Sequence, residues 1–223
     1  MSPSEATPEP TMTPVLYSFR RCPYAIRARM ALVAADIRCE LREVVLRDKP
    51  PEMLEASAKG TVPVLVVGDR VIDESLDVMH WALAERDPLL WSEGPDEETR
   101  VLLQANDGPF KHHLDRYKYS VRHDDVDLHT ERDQAAMFIA QLEARLEVGA
   151  YLTGDQPRLA DVAIFPFVRQ FAGVDKAHWQ SAPFANTRRW LEQWLASPLF
   201  SRCMHKSARW RPEDERVFFP PPA

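Results

Sequence analysis

The spacing of apolar residues changes along the chain, and the change divides the sequence into two parts. In the first part, short runs rich in β-branched residues alternate with segments of helical spacing. The predicted strands are Pro14–Phe19, Leu41–Leu46 and the two arms of a hairpin, residues 62–67 and 71–72, around Gly68-Asp69. The predicted helices are Cys22–Asp36, Pro51–Ala58 and a segment capped by Ser75 that carries Leu76, Met79, His80 and Leu83. The predicted order is therefore βαβαββα.

The second part shows helical spacing only. Residues 87–95, which include Asp87-Pro88, have the composition of a linker. The predicted helices run from Asp96 towards Val121 with a kink at Gly108-Pro109, from Thr130 to Gly149, from Leu159 to Gln170 and from Asn186 to Ala196. The Pro-rich tail from Arg211 is expected to be extended, and no strand is predicted after the linker.

These elements predict an α/β domain in residues 13–86 followed by an all-α domain in residues 96–223. Residues 1–12 lack the cationic and apolar segments of a signal peptide and are expected to form a disordered tail.

Composition narrows the class of protein. The chain has 223 residues, of which 45% are hydrophobic and 28% are charged, and its net charge is −6. Its longest apolar run covers only residues 162–168, so no membrane partner is expected, and the negative charge of both halves argues against nucleic acid. Three cysteines without paired spacing favour a reducing, cytoplasmic compartment over a disulfide framework.

Cys22 is the strongest candidate for chemistry. It stands at the start of a predicted helix, with Pro23 at the first helical position. The helix dipole and four nearby arginines, in a stretch from Pro10 to Ala35 without a carboxylate, predict a lowered thiol pKa. The competing interpretation is a small buried cysteine. Because position 25 is Ala, no local resolving thiol follows, and Cys39 and Cys203 have no context that suggests this role.

Two further features are typical of a site that binds a thiol peptide. Pro63 begins a predicted central strand, which indicates a cis-proline bend that exposes backbone groups, although an edge-strand proline would explain it too. Glu74 and Ser75 stand at a helix start, where a hydroxyl and free N–H groups accept a carboxylate and Glu74 can pair with an amine. The alternative for this pair is simple N-capping.

Together these motifs resemble the glutathione transferase superfamily. Residues 22–25 (Cys-Pro-Tyr-Ala), Val62-Pro63 and Glu74-Ser75 match its thioredoxin-like half in order and spacing, and residues 159–167 are similar to the folding motif of its helical half. A cysteine at the catalytic position makes the chain most similar to the cysteine-type branch, which includes omega-class enzymes and dehydroascorbate reductases. Arg158 departs from the pattern, since the family usually has Ser or Thr three residues before the motif Asp161.

The resemblance implies glutathione as co-substrate, a small electrophilic or disulfide second substrate, and a homodimer. It implies that Cys22 forms a mixed disulfide with glutathione. It places Tyr24 at the aromatic position of the motif, and it implies that Lys49 meets the glycine carboxylate of glutathione. Val62, before cis-Pro63, would pair with the cysteinyl backbone, and Glu74 with Ser75 would hold the γ-glutamyl group.

The second substrate is expected between the two halves, against the first long C-terminal helix. One face of that helix carries Asn106, Phe110, Leu114 and Tyr117, which could equally be a packing stripe. The histidines at 112–113 and in residues 123–129 lack the spacing of known metal motifs, so no metal is predicted.

Three functions remain open. The first is thiol transfer, deglutathionylation or dehydroascorbate-type reduction through Cys22. The second is conventional conjugation of glutathione to electrophiles, for which Tyr17 and Ser18 offer alternative hydroxyls. The third is a non-catalytic interaction protein on the same fold, similar to starvation-response or chloride-channel relatives.

Overall fold

A computed structural model of the protein describes residues 13–120 and 127–221. The first part has the predicted order of strands and helices: β1 (Val15–Ser18), α1 (Pro23–Ala34), β2 (Cys39–Glu43), α2 (Pro51–Ala56), β3 (Val64–Val67), β4 (Arg70–Ile72) and α3 (Ser75–Glu85). The strand β2 begins two residues before its predicted start. The predicted tail, residues 1–12, and residues 123–126 of the histidine-containing run lie outside the described residues.

The sheet has five strands in the order β4-β3-β1-β2-β5. β1 pairs parallel with β2, whereas β3 and β4 form the predicted antiparallel hairpin. Because β1 is the central strand, the loop after Ser18 leaves the sheet at the middle of the row of strand ends. This loop carries Cys22.

The second part is built from helices, as predicted, with bounds that differ in detail. It contains α4 (Asp96–Ala105), a π-helical turn (Asn106–Phe110), α5 (Lys111–Lys118), α6 (Leu128–Val148), α7 (Leu159–Ala172), α8 (Lys176–Ser181), α9 (Ala185–Ala196) and α10 (Pro198–Cys203). The predicted kink at Gly108-Pro109 is this π-helical turn, because proline has no N–H to donate within an α-helix. The short helices α8 and α10 were not predicted.

The C-terminal tail contains a short strand that the sequence did not predict. Residues Phe218–Phe219 form β5, which pairs antiparallel with Cys39 and Glu40 of β2. The tail therefore returns to the first domain and covers an edge of its sheet, which would otherwise expose unpaired backbone groups. Phe219 is almost fully buried at 1% exposure, so hydrophobic burial fixes a strand too short to show a periodic pattern.

The helix α7 begins where it was predicted, despite Arg158. The backbone carbonyl of Arg158 accepts from the N–H of Asp161, which takes the place of the usual hydroxyl. The Asp161 carboxylate accepts from the N–H groups of Arg158 and Leu152 and from the Trp190 indole. The departure at Arg158 thus leaves the helix start intact, because backbone groups complete the cap.

The two halves share one core. α1 packs between the sheet and α7, and its apolar side chains join those of α3, α7 and α10. Within the described residues, no helix is both long and apolar enough to span a lipid bilayer.

Candidate active site

A cavity of about 710 Å³ lies beside the N-terminal half of α1. This volume is in the range of pockets that hold small organic ligands. Its walls bring together residues from α1, the start of β3, the start of α3 and the π-helical turn. Its lining includes five residues that the sequence singled out: Tyr24, Val62, Pro63, Glu74 and Ser75.

Cys22 is the N-cap residue of α1, directly before Pro23. Its thiol donates to the carbonyl oxygen of Val62, with the sulfur 3.9 Å from that oxygen. The Val62–Pro63 peptide bond is cis, as predicted. The sulfur is partly exposed, whereas Cys39 and Cys203 are both fully buried. Among the three cysteines, only Cys22 is accessible to a substrate.

The prediction of a lowered Cys22 pKa is wrong for this structure. Burial raises the pKa of the thiol, while the N–H groups of Tyr24 and Ala25 and the charges of Lys111 and Arg27 lower it only in part. The nearby arginines are turned to other partners. Arg29, for example, is fully buried against Glu43. The sequence could not show this, because it gives the number of nearby charges and not their direction.

Arg27 connects the cavity to the helical domain. Its side chain is 2% exposed, and its guanidinium donates to both carboxylate oxygens of Asp107 at 2.9 and 2.7 Å. Its Nε donates to the Ser75 hydroxyl at 2.9 Å. The guanidinium also lies over the rings of Tyr24 and Phe167. Ser75 is thus the first residue of α3 and a partner of Arg27, rather than the predicted helix cap.

Glu74, next to Ser75 in the chain, pairs with a second cation of the cavity wall. Lys59 donates to Glu74 at 2.7 Å and to Asp73 at 3.0 Å. Lys49, which the resemblance assigned to the glycine carboxylate, is not among the residues that line the cavity, and its Nζ lies beside Gly60. Gly60 has a φ of +61°, and a side chain there would crowd Lys49 and Leu54.

Tyr24 lies at the wall between the cavity and the helical domain. Its ring meets that of Phe167 edge to face, with centroids 4.8 Å apart, and burial raises the pKa of its hydroxyl to about 12. At neutral pH this hydroxyl is a hydrogen-bond donor and not a base.

The residues predicted to meet the second substrate do not line this cavity. Asn106, Phe110, Leu114 and Tyr117 are all at most 3% exposed. Phe110 stacks on Phe138 and Tyr117 on Phe171, inside the helical domain. The structure thus supports the packing alternative for this stripe, because the face points into the core.

The two hydroxyls considered for conventional conjugation are also occupied or enclosed. The Tyr17 hydroxyl accepts from Arg42 at 2.6 Å, and burial raises its pKa. Ser18 is fully buried. Among the described residues, no group of three or more His, Cys, Asp or Glu side chains is arranged to bind a metal ion.

Comparison with known proteins decides the family. Residues 16–93 match the family described as Glutathione S-transferase, N-terminal domain, and residues 111–193 match Glutathione S-transferase, C-terminal domain. The chain belongs to the glutathione S-transferase superfamily. The fold class predicted from the sequence is confirmed, and the superfamily resemblance with it.

Individual relatives of this glutathione S-transferase are distant. A probable glutathione S-transferase of Nicotiana plumbaginifolia is 28% identical over 166 residues, which are 70% of this chain and 73% of the relative. Human glutathione S-transferase omega-2 is 44% identical over 50 residues, which are 22% of this chain and 21% of the relative. A glutathione transferase family member from Pseudomonas fluorescens, solved with two glutathione bound, has a TM-score of 0.74 at 20% identity and covers 86% of this chain and 92% of its own.

Five charged residues that line the cavity were not predicted as site residues: Arg27, Lys59, Asp73, Asp77 and Asp107. Lys59 stands three residues before Val62, so its closeness to the proline bend was a usable signal. Arg27 was counted only as a charge near Cys22. Asp107 lies 80 residues from Arg27, and nothing in the local pattern connects them.

Proposed function

We propose that this transferase moves thiol groups through a mixed disulfide between Cys22 and glutathione. The observation that carries the proposal is the place of the Cys22 sulfur, 3.9 Å from the Val62 carbonyl oxygen at the wall of the cavity. A second observation supports it: Tyr17 and Ser18, the hydroxyls that conjugation would use, are bonded to Arg42 or enclosed.

The glutathione half of the substrate fits the cavity by its charges. Its γ-glutamyl end carries an ammonium and a carboxylate, and the cavity offers Glu74 and Lys59 side by side. The N–H groups at the start of α3 would receive the carboxylate. The exposed backbone of Val62 would pair with the cysteinyl unit. The glutathione bound to the Pseudomonas relative supports the same ligand for this chain.

The reaction proceeds in two exchanges. The Cys22 thiolate attacks the glutathionyl sulfur of a mixed disulfide, which forms a disulfide between Cys22 and glutathione and releases the other thiol after protonation. A second glutathione thiolate attacks the same glutathionyl sulfur, so glutathione disulfide leaves and Cys22 is regenerated. Ala25 and the burial of Cys39 and Cys203 leave an external thiol as the regenerating group.

The burial of the thiol is compatible with this chemistry. A thiol with a raised pKa forms less thiolate at neutral pH, but the thiolate that does form is a stronger nucleophile. The N–H groups of Tyr24 and Ala25 favour that thiolate.

The test compares the wild type with Cys22→Ser and Cys22→Ala. Ping-pong kinetics are expected with the mixed disulfide of glutathione and 2-mercaptoethanol, and both variants should lose thiol transfer. Incubation with the mixed disulfide alone should add one glutathionyl group to the wild type in intact-mass measurements. Cys39→Ala, which removes a buried thiol, is the control and should keep both properties.

Conventional conjugation is tested in the same proteins with an aryl halide. This activity is tested because a plant relative is named as a probable glutathione S-transferase. If the wild type conjugates the aryl halide efficiently and Cys22→Ser retains disulfide reduction, the cysteine mechanism is refuted. Weak conjugation gained only by Cys22→Ser agrees with it, since a hydroxyl can bond the glutathione thiolate without forming a disulfide.

The homodimer and the cytoplasmic location belong to this proposal as well. The first rests on family resemblance and the second on the unpaired cysteines. Sedimentation of the purified protein, whose chain mass is 25.6 kDa, tests the first.

A further inference from the structure

A second cavity, of about 590 Å³, reaches the loop that carries Cys22. Arg21, the residue before Cys22, lines it, and the end of α7, the helix α8 and one face of α9 complete it. The first cavity is lined by Tyr24, two residues after Cys22, and by Val62, whose carbonyl oxygen accepts from the Cys22 thiol. Along the chain, Cys22 therefore lies between Arg21, which lines the second cavity, and Tyr24, which lines the first.

The second cavity is strongly cationic. Arg21, Lys118, Arg169 and Lys176 line it, against the single carboxylate of Glu192. Within the described ranges 13–120 and 127–221, none of these four cations forms an ion pair with a carboxylate. Lys118 and Lys176 are exposed to solvent. This excess of positive charge inside a protein of net charge −6 is local to the cavity.

Arg169 has the least favourable surroundings of the four. Burial and the nearby charge of Arg20 lower its pKa. Its guanidinium carbon lies 5.6 Å from the centroid of the Phe200 ring. A partly buried cation without a carboxylate partner is stabilised by an incoming anion. Trp179 and apolar side chains of α9 such as Leu195 supply the rest of the wall, which suits an organic anion better than an inorganic one.

We propose that this second cavity receives the thiol half of the disulfide substrate and selects substrates in which that half is negatively charged. The proposal rests on the thiol transfer described above and adds its substrate class. Glutathione occupies the first cavity, Cys22 attacks the glutathionyl sulfur, and the leaving thiolate departs into the second. The cations there stabilise both the carboxylate or sulfonate of that half and the negative charge that develops on its sulfur.

Binding is tested first, in Cys22→Ala, so that no chemistry intervenes. The probes are 1-anilinonaphthalene-8-sulfonate and N-phenyl-1-naphthylamine, which share their rings and differ in the sulfonate. We expect Lys118→Glu combined with Lys176→Glu to weaken binding of the sulfonate probe about tenfold and to leave the neutral probe unchanged. Arg70→Glu, an exposed residue of β4, carries the same type of charge change and should affect neither. Equal binding of the sulfonate probe by the double variant and its parent overturns the proposal.

Kinetics then separate the two proposals. The substrates are the glutathione mixed disulfides of 3-mercaptopropionate and of 2-mercaptoethanol, which differ in the charge of the thiol half. We expect kcat/KM to favour the carboxylate substrate by about tenfold at low salt, and the preference to vanish in the double variant and at high salt. Failure to turn over either substrate refutes the thiol transfer. Turnover of both without a preference refutes the charge selection and leaves the thiol transfer standing.

Discussion

At the residue scale, the surroundings of Cys22 combine two opposing effects. A cysteine at a helix N-terminus is commonly activated by the dipole and by nearby cations. Here burial outweighs them, because the arginines that flank the cysteine are directed to other partners and Lys111 is itself paired with Asp115. Cys22 is partly exposed, and its surroundings favour the thiol over the thiolate.

The first prediction concerns this titration. The alkylation rate of Cys22 should rise with pH with a midpoint above about 8.5, the value of a free thiol. Lys111→Met should raise the midpoint further, because it removes a charge that favours the thiolate. Iodoacetamide kinetics followed by mass spectrometry measure both. Lys206→Met, at an exposed position of the tail, is the control. A midpoint at or below that of a free thiol would contradict the structure.

The second prediction concerns Glu74, which pairs with Lys59 at the cavity wall. Glu74→Gln should weaken glutathione binding about tenfold, since the γ-glutamyl ammonium loses a charged acceptor. Asp69→Asn, in the exposed turn between β3 and β4, makes the same change outside the cavity and should have no effect. Calorimetric titration of both variants measures the affinities. Unchanged affinity in Glu74→Gln would mean that the amine binds elsewhere.

At the element scale, the start of α7 depends on one buried carboxylate. Asp161 is fully buried and accepts hydrogen bonds from two backbone N–H groups and an indole. These contacts join α7 to the loop before it and to α9. Burial nevertheless raises the pKa of the carboxyl to about 6, because desolvation of the charged form exceeds the gain from its donors.

The third prediction follows from this shift. A carboxyl whose pKa is higher in the folded state favours folding most at low pH, and that contribution falls as pH rises from about 4 to about 6. Asp161→Asn has no such dependence. The variant should be less stable than the wild type at pH 4, and the difference should shrink by about 2 kcal/mol by pH 7.

Urea unfolding of both proteins across this pH range provides the measurement. A difference in stability that stays constant, or one that widens towards pH 7, would show that folding does not raise the pKa of the Asp161 carboxyl. Asp175→Asn is a suitable control, because Asp175 is an exposed helix cap on the same domain.

At the scale of the whole molecule, two long-range connections hold the halves together. Arg27 of α1 bonds Asp107 in the π-helical turn, so one wall of the first cavity is shared by both domains. The C-terminal tail makes the second connection. Trp210 packs against Tyr17 and Arg42, and β5 adds a strand to the sheet beside β2.

The fourth prediction tests the tail. Phe219→Ala should lower the free energy of unfolding by about 3 kcal/mol, because the ring is 1% exposed and its removal leaves a cavity beneath α1. Val217→Ala, two residues earlier and 41% exposed, should change it by less than about 0.5 kcal/mol. Chemical denaturation measures both. Similar small effects at the two positions would indicate that β5 does not contribute to the core.

The features that the sequence alone predicts correctly are those that depend on residues close together in the chain. Helical spacing, the hairpin turn and proline at the start of α1 predicted the βαβαββα order and the helical second half. The same local signals placed Cys22 at a helix start and Pro63 in a cis peptide bond, and both are found. These features follow from short stretches of chain, so a single sequence contains them.

The features that depend on residues far apart in the chain follow only from the tertiary structure. In the folded protein, Arg27 bonds Asp107 and Lys59 bonds Glu74. The helix face that begins at Asn106 is buried, and a cationic cavity is present that no sequence motif indicates. The tertiary structure also reversed the direction of the Cys22 pKa shift. The physical reason is that periodicity shows that a face is apolar but not what covers it, and desolvation and ion pairing depend on neighbours brought together only by folding.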